Sequence, residues 1–293
     1  MNKRATTTIL TILLSLVILS LTPIYQQVYA ATITLEWPKQ SWPSAMVDVN
    51  GDGRADYGIE VSPWQISSAS GYIRMTFDTS TRVLRTECNL QNVQPRVATN
   101  GYPEIYVGRK PWNKQYANGL GVNFPISVST LLSRNLYVSF SINIESLHSS
   151  MNFNIAADAW VVRSSVANSP GTAPGSGDLE IMVWVYSQNL NPAGRKVGEV
   201  TIGGRTWEVW REDSVSWGGW QYICFKPKGW SIRSGYVSYN VADFIRAARS
   251  YATFDISRHY LLGWEIGTEW GTSSSGGVAQ FRWTISGFSV RLS

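Results

Sequence analysis

The stretch "DLEIMVWVY", residues 178–186, decides the fold. On an extended strand, side chains alternate between two faces. Leu179, Ile181, Val183 and Val185 then form an apolar face fit for a core. Glu180, Met182, Trp184 and Tyr186 form the other face. A carboxylate, a thioether and two large aromatics suit the floor of a groove better than a core. One strand thus predicts a sheet with a core behind it and a working surface in front.

The same period-two alternation recurs along the chain. It marks 136–146, 153–162, 205–212, 219–225, 260–270 and 279–292 as strands, separated by Gly, Asn, Ser and Pro clusters. The Gly-Gly pair in "IGGRT" (202–206) reads as a hairpin turn. Only "YNVADFIRAARSY" (239–251) reads as helix, with Val241, Phe244, Ile245 and Ala248 on one side and Asn240 as cap. Many strands and one helix predict an all-β fold of two stacked antiparallel sheets. "SSVANSPGTAPGSGD" (164–178) has a linker's composition. Strands that complete one another flank it, so it reads as a surface loop.

The chain opens with Lys3 and Arg4, an apolar run from Ile9 to Leu21, and "VYA" at 28–30. This is the pattern of a secretory signal over 1–30, cleaved after Ala30. The run is shorter than the roughly 20 residues that a spanning helix needs. The expectation is a secreted, extracellular monomer with one domain over 31–293 and no membrane contact after cleavage. Loss of Lys3 and Arg4 lowers the formal charge from +5 to +3, which gives no reason to expect nucleic acid. Cys88 and Cys224 both lie in strand-like sequence, and the sequence leaves open whether they pair. Fourteen Trp and fourteen Tyr exceed the needs of a core. Flat rings left partly exposed are surfaces on which sugar rings stack.

"EIGTEWG" (265–271) supplies the second set of acids. As a strand it puts Glu265, Gly267, Glu269 and Gly271 on one face. Its glycines read as bare backbone that a ligand can approach. Carboxylates facing across such a trench are the minimal equipment for breaking a glycosidic bond. Spacing alone does not separate this from a carbohydrate-binding sandwich without catalysis.

Taken together, "NGYPEIYVGRKPW" (100–112), "DLEIMVW" (178–184), "NPAG" (191–194), "GGRTWEVW" (203–210) and "EIGTEWG" resemble glycoside hydrolase family 12, in this order from about Asp56 to the C-terminus. The resemblance implies a β-jelly-roll with a concave cleft and a helix on the convex side. It implies a secreted retaining endo-β-1,4-glucanase acting on a β-glucan without a catalytic cofactor. By motif, Glu180 matches the nucleophile and Glu269 the acid/base, with Glu265 as the rival. Asp158 matches an aspartate beside the nucleophile, placed to bond Glu180 and help set which carboxyl holds a proton. Trp64 matches a stacking residue, and Met182 and Trp184 match the groove floor. Pro192 matches a loop that crosses the cleft. Trp112 and Tyr102 fit cleft or core equally, and the match at Trp217 and Trp220 is looser. The competing readings are an endo-xylanase of the related family 11, a dual glucanase/xylanase, and a non-catalytic β-glucan-binding module.

"DVNGDGRAD" (48–56) is a separate signal. Asp48, Asn50, Asp52 and Asp56 put oxygens at alternate positions, Arg54 offers its carbonyl, and Gly53 permits the turn. The spacing predicts a structural calcium ion. It is not an EF-hand, because Ile59 stands where the bidentate Glu belongs and Glu60 follows one residue late.

Overall fold

The computed structural model describes residues 31–293. The signal segment expected over 1–30 lies outside the described residues. Two sheets stack face to face. The smaller has six strands in the order Thr32–Trp37, Ser68–Asp78, Val83–Gln94, Ala279–Leu292, Leu136–Leu147 and Ser234–Asn240. The larger runs Arg195–Ile202, Arg205–Glu212, Gln221–Pro227, Leu179–Gln188, Asn152–Val162, Gly263–Gly267, Glu104–Gly108, Tyr57–Glu60 and Ser44–Val47, with three short pieces beside this path. This is the expected jelly-roll sandwich.

Alternation explains the packing. In the strand Leu136–Leu147, the residues Leu136, Val138, Phe140, Ile142 and Ile144 are buried, while Tyr137, Ser139, Ser141 and Asn143 face outward. Each fully buried aliphatic or phenyl side chain contributes about 1.5–3 kcal/mol. The strands at the middle of the larger sheet are different, being buried on both faces. Phe153, Ile155, Ala157, Ala159 and Val161 enter the core between the sheets. Ala156, Trp160 and Val162 join Met182, Trp184, Tyr222 and Cys224 in a second apolar layer on the concave side.

Four expectations need correction. The larger sheet is not wholly antiparallel: Leu179–Gln188 pairs in parallel with Gln221–Pro227. The hairpin 195–212 moves out to the sheet edge, and the returning strand inserts between it and 179–188. The face expected at 178–186 ends early, because a bulge between Trp184 and Tyr186 turns Tyr186 against Phe153 and the core. The single strand expected over 260–270 is three pieces, Tyr260–Leu261, Gly263–Gly267 and Trp270–Gly271. Short helices at Val128–Ser133 and Ser164–Ala167 add to the one expected. The second of these lies in the loop 164–178, where buried Arg109 donates to the carbonyls of Val166 and Ala167. Cys88 and Cys224 are both free and buried.

The expected helix spans Val241–Tyr251. It covers the part of the large sheet that the small sheet leaves bare. Phe244 packs edge-on against Trp207, Phe225 and Tyr239 at 5.1–5.3 Å between centroids. Asn240 caps it: its Oδ1 accepts from the amides of Ala242 and Leu136, both at 3.2 Å. Asn240→Ala should therefore lower unfolding stability by about 1–2 kcal/mol. Urea denaturation checks this, with the midpoint expected to fall and the slope to stay constant.

Candidate active site

The concave face of the large sheet is a cleft. Its floor holds Glu180, Met182, Asp158, Trp160 and Glu265, and Glu269 projects beside them. Trp42, Trp64, Trp112 and Trp217 line it with rings that remain 41–57% exposed. The surface therefore offers flat apolar rings around a row of acids.

Each acid has a local reason for its place. Glu180 sits in register with Trp160 on one side and Tyr222 on the other. Its Oε2 accepts a 2.6 Å bond from the Trp220 indole N–H. Trp220, Trp160 and Trp112 pack edge-to-face, with centroids 5.0 Å apart for the first two and for the last two. That packing fixes the indole which holds the carboxylate. Glu269 stands in the break of the 260–271 segment. There the Asn154 side chain replaces half of a ladder rung: its Oδ1 accepts the Glu269 amide at 2.7 Å and its Nδ2 donates to Glu269 Oε2 at 2.7 Å, while the Asn154 amide still donates to the Glu269 carbonyl at 3.0 Å. The break frees Glu269 from strand geometry and aims it into the cleft.

Burial lifts Glu180 to about 8, against the Trp220 N–H, which favours its charged form, while the Glu269 charge pushes the same way as burial. Burial lifts Glu269 to about 7, against the Asn154 amide. The two ranges overlap and the groups titrate together, so around neutral pH the pair holds protons that exposed carboxyls would have lost. This order does not itself assign one group as acid and the other as base. Each carboxyl has one side-chain donor, the Trp220 indole for Glu180 and the Asn154 amide for Glu269.

The structure brings together Glu180, Glu269, Asp158, Met182 and Trp64 in one cleft, with the rival Glu265 in the same floor. Trp112, Tyr102, Trp217 and Trp220 also line it. Trp184 does not: it is fully buried beneath the floor. Pro192 is buried in its loop outside the cleft lining, where Lys226 Nζ bonds Asn191 Oδ1 at 2.7 Å. The glycines of "EIGTEWG" serve packing rather than ligand access. A Cβ on Gly267 would meet the Pro103 carbonyl at 2.6 Å, and Gly271 is pressed on the Ala98 carbonyl.

Sequence reasoning missed Trp42, Glu60 and Lys110. The Trp42 indole donates to Glu60 Oε1 at 2.9 Å, and Lys110 Nζ reaches the same oxygen at 3.1 Å. Glu60 looked like a displaced metal ligand, and it is a cleft residue. The signal available was the adjacent bases Arg109 and Lys110 in "GRKPW", within a stretch that resembles the family.

The 48–56 turn lies apart from the cleft, joining Ser44–Val47 to Tyr57–Glu60. Asp48 accepts the amides of Asn50, Gly51 and Gly53. These backbone bonds hold its carboxyl below the usual range, although burial acts the other way. Asp52 accepts from the Arg54 amide. Asp56 is buried at the base of the turn and accepts from the Val49 amide. Among the described residues, no three His, Cys, Asp or Glu side chains converge as a metal set.

The family model described as "Glycosyl hydrolase family 12" matches residues 55–293. The chain belongs to glycosyl hydrolase family 12. It is 32% identical over 137 residues to Endoglucanase A of Aspergillus kawachii, covering 45% of this chain and 55% of that protein. It is 24% identical over 174 residues to Endoglucanase S of Pectobacterium parmentieri, covering 59% and 60%. The match thus spans little more than half the length of these curated relatives. Solved family 12 structures share the fold. A Bacillus licheniformis family 12 xyloglucanase with ligand superposes with TM-score 0.67 at 23% identity, over 90% of this chain and 100% of that one. Endoglucanase Cel12A of Rhodothermus marinus gives 0.65 at 21%, over 90% and 99%. Trp42 lies before the residues that the family model matches.

Trp220→Phe keeps the ring and removes the N–H given to Glu180. That donor favours the charged carboxylate, so Glu180 should titrate about one unit higher. Carbon-13 NMR of labelled glutamate checks this, with the larger movement expected at Glu180.

Proposed function

We propose that this family 12 protein is a secreted retaining endo-β-1,4-glucanase that cuts internal bonds of cellulose-type glucans. The observation that carries the reading is the pair Glu180 and Glu269, both half-buried in one cleft lined by exposed tryptophans. Four separate rings along the cleft suit a chain of several sugars better than a single terminal unit. The relatives named endoglucanases support the same substrate class.

In this mechanism Glu180 attacks the anomeric carbon while Glu269 gives its proton to the departing glycosidic oxygen. The C–O bond to the leaving chain breaks as the bond to Glu180 Oε forms. Glu269, now ionised, takes a proton from water. The hydroxide so formed attacks the same carbon and releases Glu180. Glu269, lifted to about 7, holds the proton that a general acid needs near neutral pH, whereas Glu180 attacks only in its ionised form, which the Trp220 N–H favours. Trp64 would stack a sugar on the non-reducing side. Export follows from the leader expected over 1–30, and among the described residues no helix is long and apolar enough to cross a membrane.

Glu180→Gln and Glu269→Gln should each remove at least 99% of the hydrolysis rate, about 10² or more, with the thermal melt preserved. Assays on carboxymethylcellulose, barley β-glucan, xyloglucan and xylan name the substrate, and preference for xylan would displace the glucanase reading. Proton NMR at early times should show β product. An initial α product would mean an inverting enzyme with a wider gap between the carboxyls.

We propose separately that the 48–56 turn takes one calcium ion on oxygens of Asp48, Asn50, Asp52 and Asp56 with the Arg54 carbonyl. Hard oxygen donors and a turn pre-bent by Gly51 and Gly53, at φ 75° and 82°, support calcium over softer metals. Chelation should lower the melting temperature and leave turnover by the folded protein unchanged, with about 2.7 kcal/mol of stabilisation at calcium 100 times its Kd. An identical melt in EDTA, with no calcium by elemental analysis, leaves the turn closed by its own amides alone.

A further inference from the structure

Arg109 follows the strand Glu104–Gly108 and is completely buried. A guanidinium has five N–H donors and no acceptor. Here Nε donates to the Tyr116 hydroxyl at 2.7 Å. Nη1 donates to the carbonyls of Lys110 and Pro111 at 3.3 and 3.1 Å. Nη2 donates to the carbonyls of Val166 and Ala167 at 2.8 and 2.9 Å. Every donor is matched, and every partner is neutral. A cation taken out of water onto neutral partners is costly to bury. An apolar side chain would fill the same space without that cost, so the fork of bonds is what calls for a reason.

The groups that the fork joins supply the reason. The carbonyls of Lys110 and Pro111 belong to the turn 110–113, closed by the Asn113 amide on the Lys110 carbonyl at 3.1 Å. Lys110, Trp112 and Asn113 of this turn all line the cleft. The carbonyls of Val166 and Ala167 belong to the helix Ser164–Ala167, and both side chains pack into the apolar layer on the concave side of the sheet. Arg109 thus fastens a wall of the cleft to the layer that carries its floor. The Gly171 amide adds a parallel link to the Pro111 carbonyl at 3.1 Å.

The three lining residues do not depend on this link equally. Lys110 has anchors of its own in Glu60 and Glu104, and Asn113 donates to the Tyr106 hydroxyl. Trp112 is 47% exposed and meets Trp160 and Trp220 edge-to-face, at 5.0 and 6.3 Å between centroids. Ring contacts of this kind are less directional than hydrogen bonds, so the backbone beneath Trp112 sets where its ring stands. We propose that Arg109 is a positioning residue for Trp112: it holds the turn from behind so that the ring is in place before a glucan chain arrives. The proposal rests on the glucanase reading. A ring ordered beforehand loses little freedom when a sugar stacks on it, which favours binding rather than bond breaking. Glu180 and Glu269 are held by Trp220 and Asn154, neither of which the guanidinium touches.

Arg109→Lys keeps the charge but gathers its donors at one point, so it cannot span both the turn and the helix. On barley β-glucan it should raise KM about fivefold and leave kcat within about twofold. Trp112→Ala should raise KM at least as much. Adding Arg109→Lys to it should change KM by no more than about twofold further, because the ring through which Arg109 acts is gone. An unchanged KM in Arg109→Lys, a loss confined to kcat, or the full further rise in the double variant overturns the proposal. Fluorine NMR of the chain labelled with fluorotryptophan gives a readout without turnover. The Trp112 signal, assigned with Trp112→Phe, should be single and as narrow in the wild type as those of the buried tryptophans, and should broaden in Arg109→Lys. A broadened or doubled Trp112 signal in the wild type overturns the proposal even where Arg109→Lys fails to fold. A wild-type chain inactive on every β-glucan overturns the functional reading instead, and the fluorine signal still decides whether the ring is held.

Discussion

Everything at the cleft depends on one constraint: the middle strands of the large sheet are buried on both faces. In Asn152–Val162 every residue is buried. Odd positions lock the sheet onto the sandwich core, and even positions build the cleft floor. A one-residue slip of this strand would exchange Ala157 for Asp158 and put a carboxyl into the apolar core. The core therefore fixes the register, and the register fixes which acids face one another. Asp158, Glu265 and Met182 sit in one cross-strand line for this reason.

The same burial sets the electrostatics. A carboxyl on an ordinary exposed sheet face would be ionised at neutral pH and would have no proton to give. Here an apolar layer of Trp160, Trp184, Met182 and Tyr222 lies around and beneath the acids. It withdraws water from them and makes protonation competitive near neutrality. The tryptophan excess thus has two roles. Buried rings make the acids hold protons, and exposed rings offer a surface to sugars. Trp220 joins the two, packed against Trp160 on one side and bonded to Glu180 on the other.

Much of this was legible in the residues. Alternation gave the strands, the two faces of 179–185 and the capped helix, because burial follows a fixed period of two or 3.6. Motifs gave Glu180, Glu269 and Asp158. What was not legible depends on contacts distant in sequence. The break that presents Glu269 is made by Asn154, 115 residues away. The bulge at Trp184/Tyr186 leaves no mark in the alternating pattern. Lys110 and Glu60 meet across 50 residues, and no periodicity points from one to the other. Gly267 and Gly271 misled for the same reason, since bare backbone in a sequence looks the same whether a ligand or a neighbouring carbonyl approaches it.

A site of this kind weakens the fold that carries it. Glu180 and Glu269 bind protons more tightly folded than unfolded, at about 8 and about 7 against ordinary values near 4.5. For such groups the folded state is favoured most below the unfolded pKa. The advantage is lost as pH rises from about 4.5 toward 7–8, because the unfolded chain releases protons that the folded cleft retains. Glu104, Asp158 and Glu265 act in the same direction. Lys110 works against them. Its charge lowers the cost of each acid in the row, and it is kept protonated by Glu104 and Glu60 although burial alone would strip it. One buried ammonium thus makes a crowded acidic sheet face tolerable, and the apolar core behind that face offsets the remaining cost.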